Sequence, residues 1–445
     1  MGKQIGLFDL GKLLIINCSF LILTSCSIQQ KISKSAKQVI NDSSLVAAHL
    51  GISIYEPASG KYWYNYQGDK YFVPASNTKL PTCYAAMKYL GDSLVGFRWD
   101  IRDTMITILP SGDPSFLHPD FSSARAIQLI KGYKNISLLA NGYFENRLGS
   151  GWTWDDYEET YMAERSAFPL YGNVVKFYLK DDQVKAMPPT FEKMISQSSN
   201  KNLKGMRVHR PMESNEFSIS PGESKTVSIT FRTYEGSFPL WLPALQAALL
   251  MDTLHIPASV GGYSGESPAG LKVFHSQATD SLLKPMMHRS DNFFAEQSLL
   301  MVSNERLRVM NDEKIIDTLL KTDLKDLPQK PRWVDGSGLS RYNLFTPQDF
   351  VAILNKMKKE FGMERIKVIL PTGGTGTISN YYKADSNYIF GKTGTLSGVV
   401  AFSGFLYTKK GKLLIFSTLV NNHQASSTAV RRAVEKFIQG IREKY

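Results

Sequence analysis

Three polar motifs, Ser76-Asn77-Thr78-Lys79, Ser290-Asp291-Asn292 and Lys392-Thr393-Gly394-Thr395, follow one another along this chain. A fold that uses them together must bring all three to one place. The first offers a hydroxyl with an amine one helical turn away, the second a further hydroxyl and a carboxamide. The third offers a cationic strand whose backbone can bind a carboxylate or an oxyanion. Together they are the parts needed to acylate a serine and release the acyl group. Roughly 210 residues separate Lys79 from Ser290, far more than a connection inside one compact core needs. A separate domain is therefore expected between the first two motifs.

The S-x-x-K spacing alone identifies nothing, because it occurs again at Ser198-Ser199-Asn200-Lys201 and at Ser281-Leu282-Leu283-Lys284. Ser198 sits in a polar stretch without a core pattern, and Ser281 is too close to Ser290 to leave room for intervening elements. Ser76 follows two strand-like runs, Leu50 to Glu56 and Lys61 to Tyr66, and opens an apolar-patterned helix that Gly91 stops. Pro81 in its early turns predicts a local kink. Cys83 falls on the apolar face and reads as a small buried hydrophobe. Lys79 can act as a base only if its pKa is depressed by burial and a second cation, for which Lys392 is the candidate. Ser290 would relay a proton to the leaving amine and Asn292 would hold the substrate amide, both from a helix start. Backbone N–H groups of Ser76 and Thr395 would form the oxyanion hole. Thr393, Thr395 and Lys392 would bind a terminal carboxylate, with Gly394 permitting close approach.

Length and patterning predict an α/β chain in two parts. Residues 39–96 and 276–445 form the catalytic unit, and residues 97–275 an inserted β-rich domain. Strands are expected at Tyr388 to Thr395, Val399 to Tyr407 and Leu413 to Asn421, before a C-terminal helix capped near Ser426. A net charge of +12 suits anionic surroundings, but no basic block interleaved with aromatics marks a nucleic-acid surface. No H-E-x-x-H spacing suggests a metal and no G-x-S-x-G elbow is present; no cofactor is expected.

The set S-x-x-K, S-x-N and K-T-G is the signature of penicillin-interacting serine hydrolases. From about Leu50 onward the chain resembles the D-alanyl-D-alanine carboxypeptidase/endopeptidase family, the low-molecular-mass class C penicillin-binding proteins. Further matches are Gly112-Asp113-Pro114, Gly151-Trp152-Thr153-Trp154-Asp155-Asp156, Ser290 to Glu296, Asp335 to Arg341 and Lys392 to Gly398. The resemblance implies a penicillin-binding/β-lactamase-like transpeptidase fold, peptidoglycan stem peptides as substrates and β-lactams as inhibitors. It also implies that Asp156 and Arg341 recognise the stem diamino acid, although an ordinary ion pair would look the same in sequence. The run Gly373 to Thr377 departs from the usual Asp-Gly-Thr. A β-lactamase or esterase on the same scaffold, or a wall-binding relic without activity, would share much of this pattern.

The first residues resemble a bacterial lipoprotein leader. Lys3 and Lys12 flank the start of an apolar run, Leu13 to Leu23, of about 11 residues, too short to cross a bilayer. Leu23-Thr24-Ser25-Cys26 resembles a lipobox; an ordinary signal peptide is the alternative. Residues 1–25 are thus expected as signal peptide, Cys26 as the lipidated residue and 26–38 as a polar tether. The mature protein would be periplasmic and lipid-anchored to the cell-envelope membrane.

Overall fold

The computed structural model describes residues 32–37, 39–140, 143, 145–181, 183–197, 205–222, 228–236, 243–261 and 270–445. The leader, Cys26 and the Ser198–Lys201 motif lie outside the described residues.

A five-stranded antiparallel sheet organises the part that carries the motifs. Its strands are β1 (His49–Glu56), β2 (Lys61–Tyr66), β3 (Ile389–Leu396), β4 (Val399–Tyr407) and β5 (Leu413–Asn421), in the spatial order β3-β4-β5-β1-β2. The middle strands are apolar on both faces, as a sheet covered on both sides requires. Leu50, Ile52, Ile54, Val400, Phe402, Leu414 and Phe416 point to one face. There they meet Val430, Val434, Phe437 and Ile441 of the C-terminal helix Ser427–Lys444. Ala401, Phe405, Ile415 and Leu419 point to the other face. That face is covered by α1 (Lys79–Tyr89), α2 (Thr279–His288), α3 (Asn292–Leu307) and α4 (Pro347–Ile369). The C-terminal helix, α5, starts where Ser426 accepts from Ala429 N at 3.2 Å.

The intervening segment has its own core. Its larger sheet runs Ala258–Gly261, Asn135–Leu139, Met105–Pro110, Ser93–Arg102, Lys272–Ala278, with two three-stranded sheets beside it. The chain enters on Ser93–Arg102 and leaves on Lys272–Ala278, and these strands pair antiparallel. Cuts at residues 97 and 275 would each split a strand. The α/β expectation with a β-rich insertion describes this architecture.

Two local expectations are corrected. Residues 32–37, read as part of a polar tether, are helical, with Ile32 and Ala36 fully buried against the C-terminal helix. Four residues apart, the two share one face, a stripe hidden among Lys and Ser side chains. Pro81 introduces no kink, because Ala75–Thr78 form a 3₁₀ turn and the α-helix begins only at Lys79. Pro81 therefore sits in the first turn, where backbone N–H groups have no intrahelical acceptor.

Candidate active site

The three motifs converge from the start of α1, the α2–α3 corner and the edge strand β3. Ala75, ahead of Ser76, takes a left-handed φ of +47° at the start of the 3₁₀ turn that Pro74 leads into. Ser76 is half-buried and Lys79 completely buried. The Lys79 amine donates to Ser76 Oγ at 3.0 Å, to Asn292 Oδ1 at 2.5 Å and to the Ser337 carbonyl at 2.8 Å. All three of its donors are thereby fixed on acceptors, one of which is the serine hydroxyl.

Ser290 was expected at a helix start but instead ends α2. It has φ +59°, and Asp291 N donates to the Met286 carbonyl at 3.1 Å, the Schellman closure of a helix C-terminus. Asp291 then caps α3, accepting from Phe294 N at 3.0 Å. This tight corner puts Ser290 and Asn292 on the same side as Lys79. On β3, Lys392 is buried and its Nζ donates to Ser290 Oγ at 2.8 Å and to the Thr393 carbonyl at 2.6 Å. Thr393 and Thr395 point to the opposite face. Thr393 Oγ1 lies 2.8 Å from Thr377 Oγ1, and Thr395 Oγ1 accepts from Arg431.

Two glycines let the backbones meet. A Cβ on Gly394 would lie 2.6 Å from the Pro74 carbonyl and 3.0 Å from Ser76 N; one on Gly338, at φ +85°, would lie 2.0 Å from the Ala75 carbonyl. Strand β3 and the 335–341 loop thus pack directly against the serine turn.

Burial sets the electrostatics. It lowers the Lys79 pKa to about 8 against the opposing pull of Asp335, Glu296 and Asp291. Lys392 is driven well below the usual lysine range, first by burial and then by Lys79 and Arg431. Lys79 therefore has an accessible neutral form near neutral pH, the state a general base needs.

A cleft of about 650 Å³ opens over these groups, lined by Ser76, Ser290, Asn292, Thr395, Asp156 and Arg341 among others. Asp156 and Arg341 share this cleft without forming a pair, and Arg341 Nη2 donates to the Ser397 carbonyl at 2.9 Å. Of the other expected residues, Lys79 and Lys392 reach the cleft through Ser76 and Ser290 and Gly394 packs on the serine turn, whereas Thr393 lines a separate small cavity with Tyr381 and Arg431. The competing Ser281 is exposed on α2. Cys83 is fully buried, and burial pushes its thiol up to about 12. Among the described residues, no group of three or more His, Cys, Asp or Glu could hold a metal ion.

Several participants went unassigned in sequence: the Ser337 carbonyl, Glu296, Asp335, Thr377, Tyr161 and Arg431. Glu296 accepts from Ser337 N at 2.8 Å, on the same residue whose carbonyl holds Lys79. Asn292 Nδ2 donates to the Tyr161 carbonyl at 2.9 Å. Glu296 and Asp335 lie inside motifs already noted, and an acidic residue within each motif was the available signal. A single backbone carbonyl leaves none.

The model of the D-Ala-D-Ala carboxypeptidase 3 (S13) family matches residues 32–444. A D-alanyl-D-alanine carboxypeptidase from Actinomadura sp. (strain R39) is 25% identical, over 89% of this chain and 82% of its own. The crystal structure of penicillin binding protein 4 from Haemophilus influenzae superposes with TM-score 0.70 at 20% identity, covering 92% of this chain and 98% of that one. A predatory endopeptidase from Bdellovibrio bacteriovorus is similar at TM-score 0.51 and 16% identity, over 88% and 94% of the two chains. These two likenesses concern the fold.

Proposed function

This chain belongs to the D-Ala-D-Ala carboxypeptidase 3 (S13) family, and we propose that it cleaves peptidoglycan stem peptides through an acyl-enzyme at Ser76. It is a serine D-Ala-D-Ala carboxypeptidase. The observation that carries the residue roles is the Lys79 amine, buried, depressed to about 8 and 3.0 Å from Ser76 Oγ.

Neutral Lys79 takes the Ser76 proton as Oγ attacks the penultimate D-alanine carbonyl. Backbone N–H groups of Ser76 and Thr395 receive the oxyanion. When the tetrahedral adduct collapses, the leaving D-alanine nitrogen takes a proton from Ser290, which Lys392 resupplies and in turn regains from protonated Lys79, leaving that amine neutral. Water then attacks the Ser76 ester with Lys79 again as base, releasing the shortened stem and restoring the hydroxyl. Asn292 orients the acyl-side amide, while Asp156 and Arg341 face the stem diamino acid with opposite charges.

The similar Haemophilus protein is a penicillin binding protein, and by that likeness penicillin is expected to acylate Ser76. The similar Bdellovibrio protein is an endopeptidase, so cross-bridge cleavage joins terminal D-alanine release in the proposed activity. Labelled penicillin and a pentapeptide stem test the reading: wild type forms the adduct and releases D-alanine, and Ser76→Ala does neither. An adduct surviving in Ser76→Ala would remove the nucleophile assignment. For the leader, we propose lipidation at Cys26 and a periplasmic, membrane-tethered enzyme; mass analysis of the mature N-terminus decides it, an unmodified start removing the anchor.

A further inference from the structure

We propose that Arg431, on α5, is the cation that receives the terminal carboxylate of the acyl donor, which makes it a specificity-determining residue. This rests on the serine-acylation reading above.

Lys392, the cation expected to hold that carboxylate, is turned away from the task. It is buried, and its amine is committed inward to Ser290 Oγ and to the Thr393 carbonyl. A depressed lysine that must resupply protons to Ser290 is a poor permanent counter-charge. Another cation in or beside the cleft, Arg341, donates to the Ser397 carbonyl. Arg431 stands immediately behind Thr395, which lines the cleft. Its Nη2 donates to Thr395 Oγ1, and its Nε is buried without a hydrogen-bond partner. Among the described residues no carboxylate pairs with it; the adjacent Arg432 takes Glu435. An unneutralised, half-buried guanidinium thus backs the face of β3 that carries Thr393 and Thr395.

The geometry suits an incoming carboxylate. The Thr395 hydroxyl accepts from Arg431, which frees its own proton for donation outward to a carboxylate oxygen. Arg431 and Thr393 line a small cavity beside the cleft, so the guanidinium acts on the carboxylate through the Thr395 hydroxyl, and the arginine charge persists at every pH of interest.

The test compares acylation of Ser76 by a penicillin with that by its methyl ester, which lacks the charge. In parallel, release from a stem ending in D-alanine is compared with release from one ending in D-alaninamide. Wild type is expected to prefer each carboxylate form by tenfold to hundredfold in rate constant, about the range of charge-assisted hydrogen bonds. Arg431→Ala should narrow that preference to within about threefold, and Arg431→Lys should keep part of it. A carboxylate preference undiminished in Arg431→Ala would overturn the proposal, as would equal losses on both forms, which mark a structural role. If wild type is acylated with the preference but releases nothing from either peptide, the peptidase reading fails while the Arg431 assignment stands. Absence of acylation by either penicillin form would overturn both.

Discussion

Lys79 is asked to be buried, charged in part and basic at once. Desolvation disfavours its protonated form, and nearby Asp335, Glu296 and Asp291 limit the fall to about 8. A lysine left at its ordinary value would hold its proton throughout the neutral range. The sign for catalysis follows directly: protonated Lys79 cannot accept from Ser76, so acylation rises with pH through about 8 and levels off above it. Second-order rates for labelled penicillin between about pH 6 and pH 10 should trace this limb. A flat profile would remove Lys79 as the base. Lys79→Arg, which never deprotonates here, should lower the rate by about 10²–10⁴-fold with the fold retained. The need for a depressed lysine was readable in the sequence. Its cause was readable only in part, because the sequence names charges but not how deeply they lie.

At the level of strands and turns, the catalytic sheet was legible because its strands are runs rich in β-branched and aromatic residues bounded by turn residues, with a clean helical stripe after them. Its five strands were expected within a residue or so of where they lie, and the C-terminal helix likewise. What the sequence hid were exchanges between backbone geometries. The 3₁₀ turn at Ala75–Thr78 moves the helix start past Ser76 and makes Pro81 harmless. The left-handed Ser290 converts an expected helix start into the end of α2. The buried Ile32–Ala36 turn was masked by polar neighbours. Gly394 shows how far these contacts constrain activity. A methyl there would meet the Pro74 carbonyl at 2.6 Å and Ser76 N at 3.0 Å, and both are backbone atoms that cannot rotate away. Gly394→Ala should push β3 off the serine turn and cost about 1–3 kcal/mol of stability. Acylation should fall by at least about 100-fold, since an angstrom of misplacement costs this much. Near-native acylation in a folded Gly394→Ala protein would show that the close approach is dispensable.

Across the whole molecule, the inserted segment and the catalytic unit are joined by a buried charge cluster centred on Arg165. Its guanidinium donates to Asp312 at 2.6 Å, Glu145 at 3.2 Å and Glu296 at 3.4 Å, and to the Asn146 and Leu148 carbonyls. Glu296 in turn holds Ser337, whose carbonyl holds Lys79. No pattern in the sequence announces this cluster, because its members come from four separate stretches and only Glu296 lies inside a recognised motif. Three carboxyls share one guanidinium, so they cannot all stay ionised cheaply. Burial raises Glu296 to about 8 and Glu145 to about 7, while Arg165 helps hold Asp312 below its usual value. For the two raised groups, the stability gained by keeping the proton is complete below the unfolded carboxyl range near 4.3. It is lost as pH climbs through their folded values, because the unfolded chain then binds fewer protons than the native one. Unfolding free energy is therefore expected to decline between about pH 5 and pH 8, and Glu296→Gln, which cannot ionise, should flatten that decline. Arg165→Ala strips the shared partner and should cost about 3–5 kcal/mol near pH 8. Near pH 5 the same substitution should cost less, since Glu145 and Glu296 are then neutral and no longer need the guanidinium. Urea unfolding of the three proteins at both pH values measures this. A loss for Arg165→Ala independent of pH would mean that the guanidinium acts by packing, and that its charge does not hold the insertion to the catalytic unit.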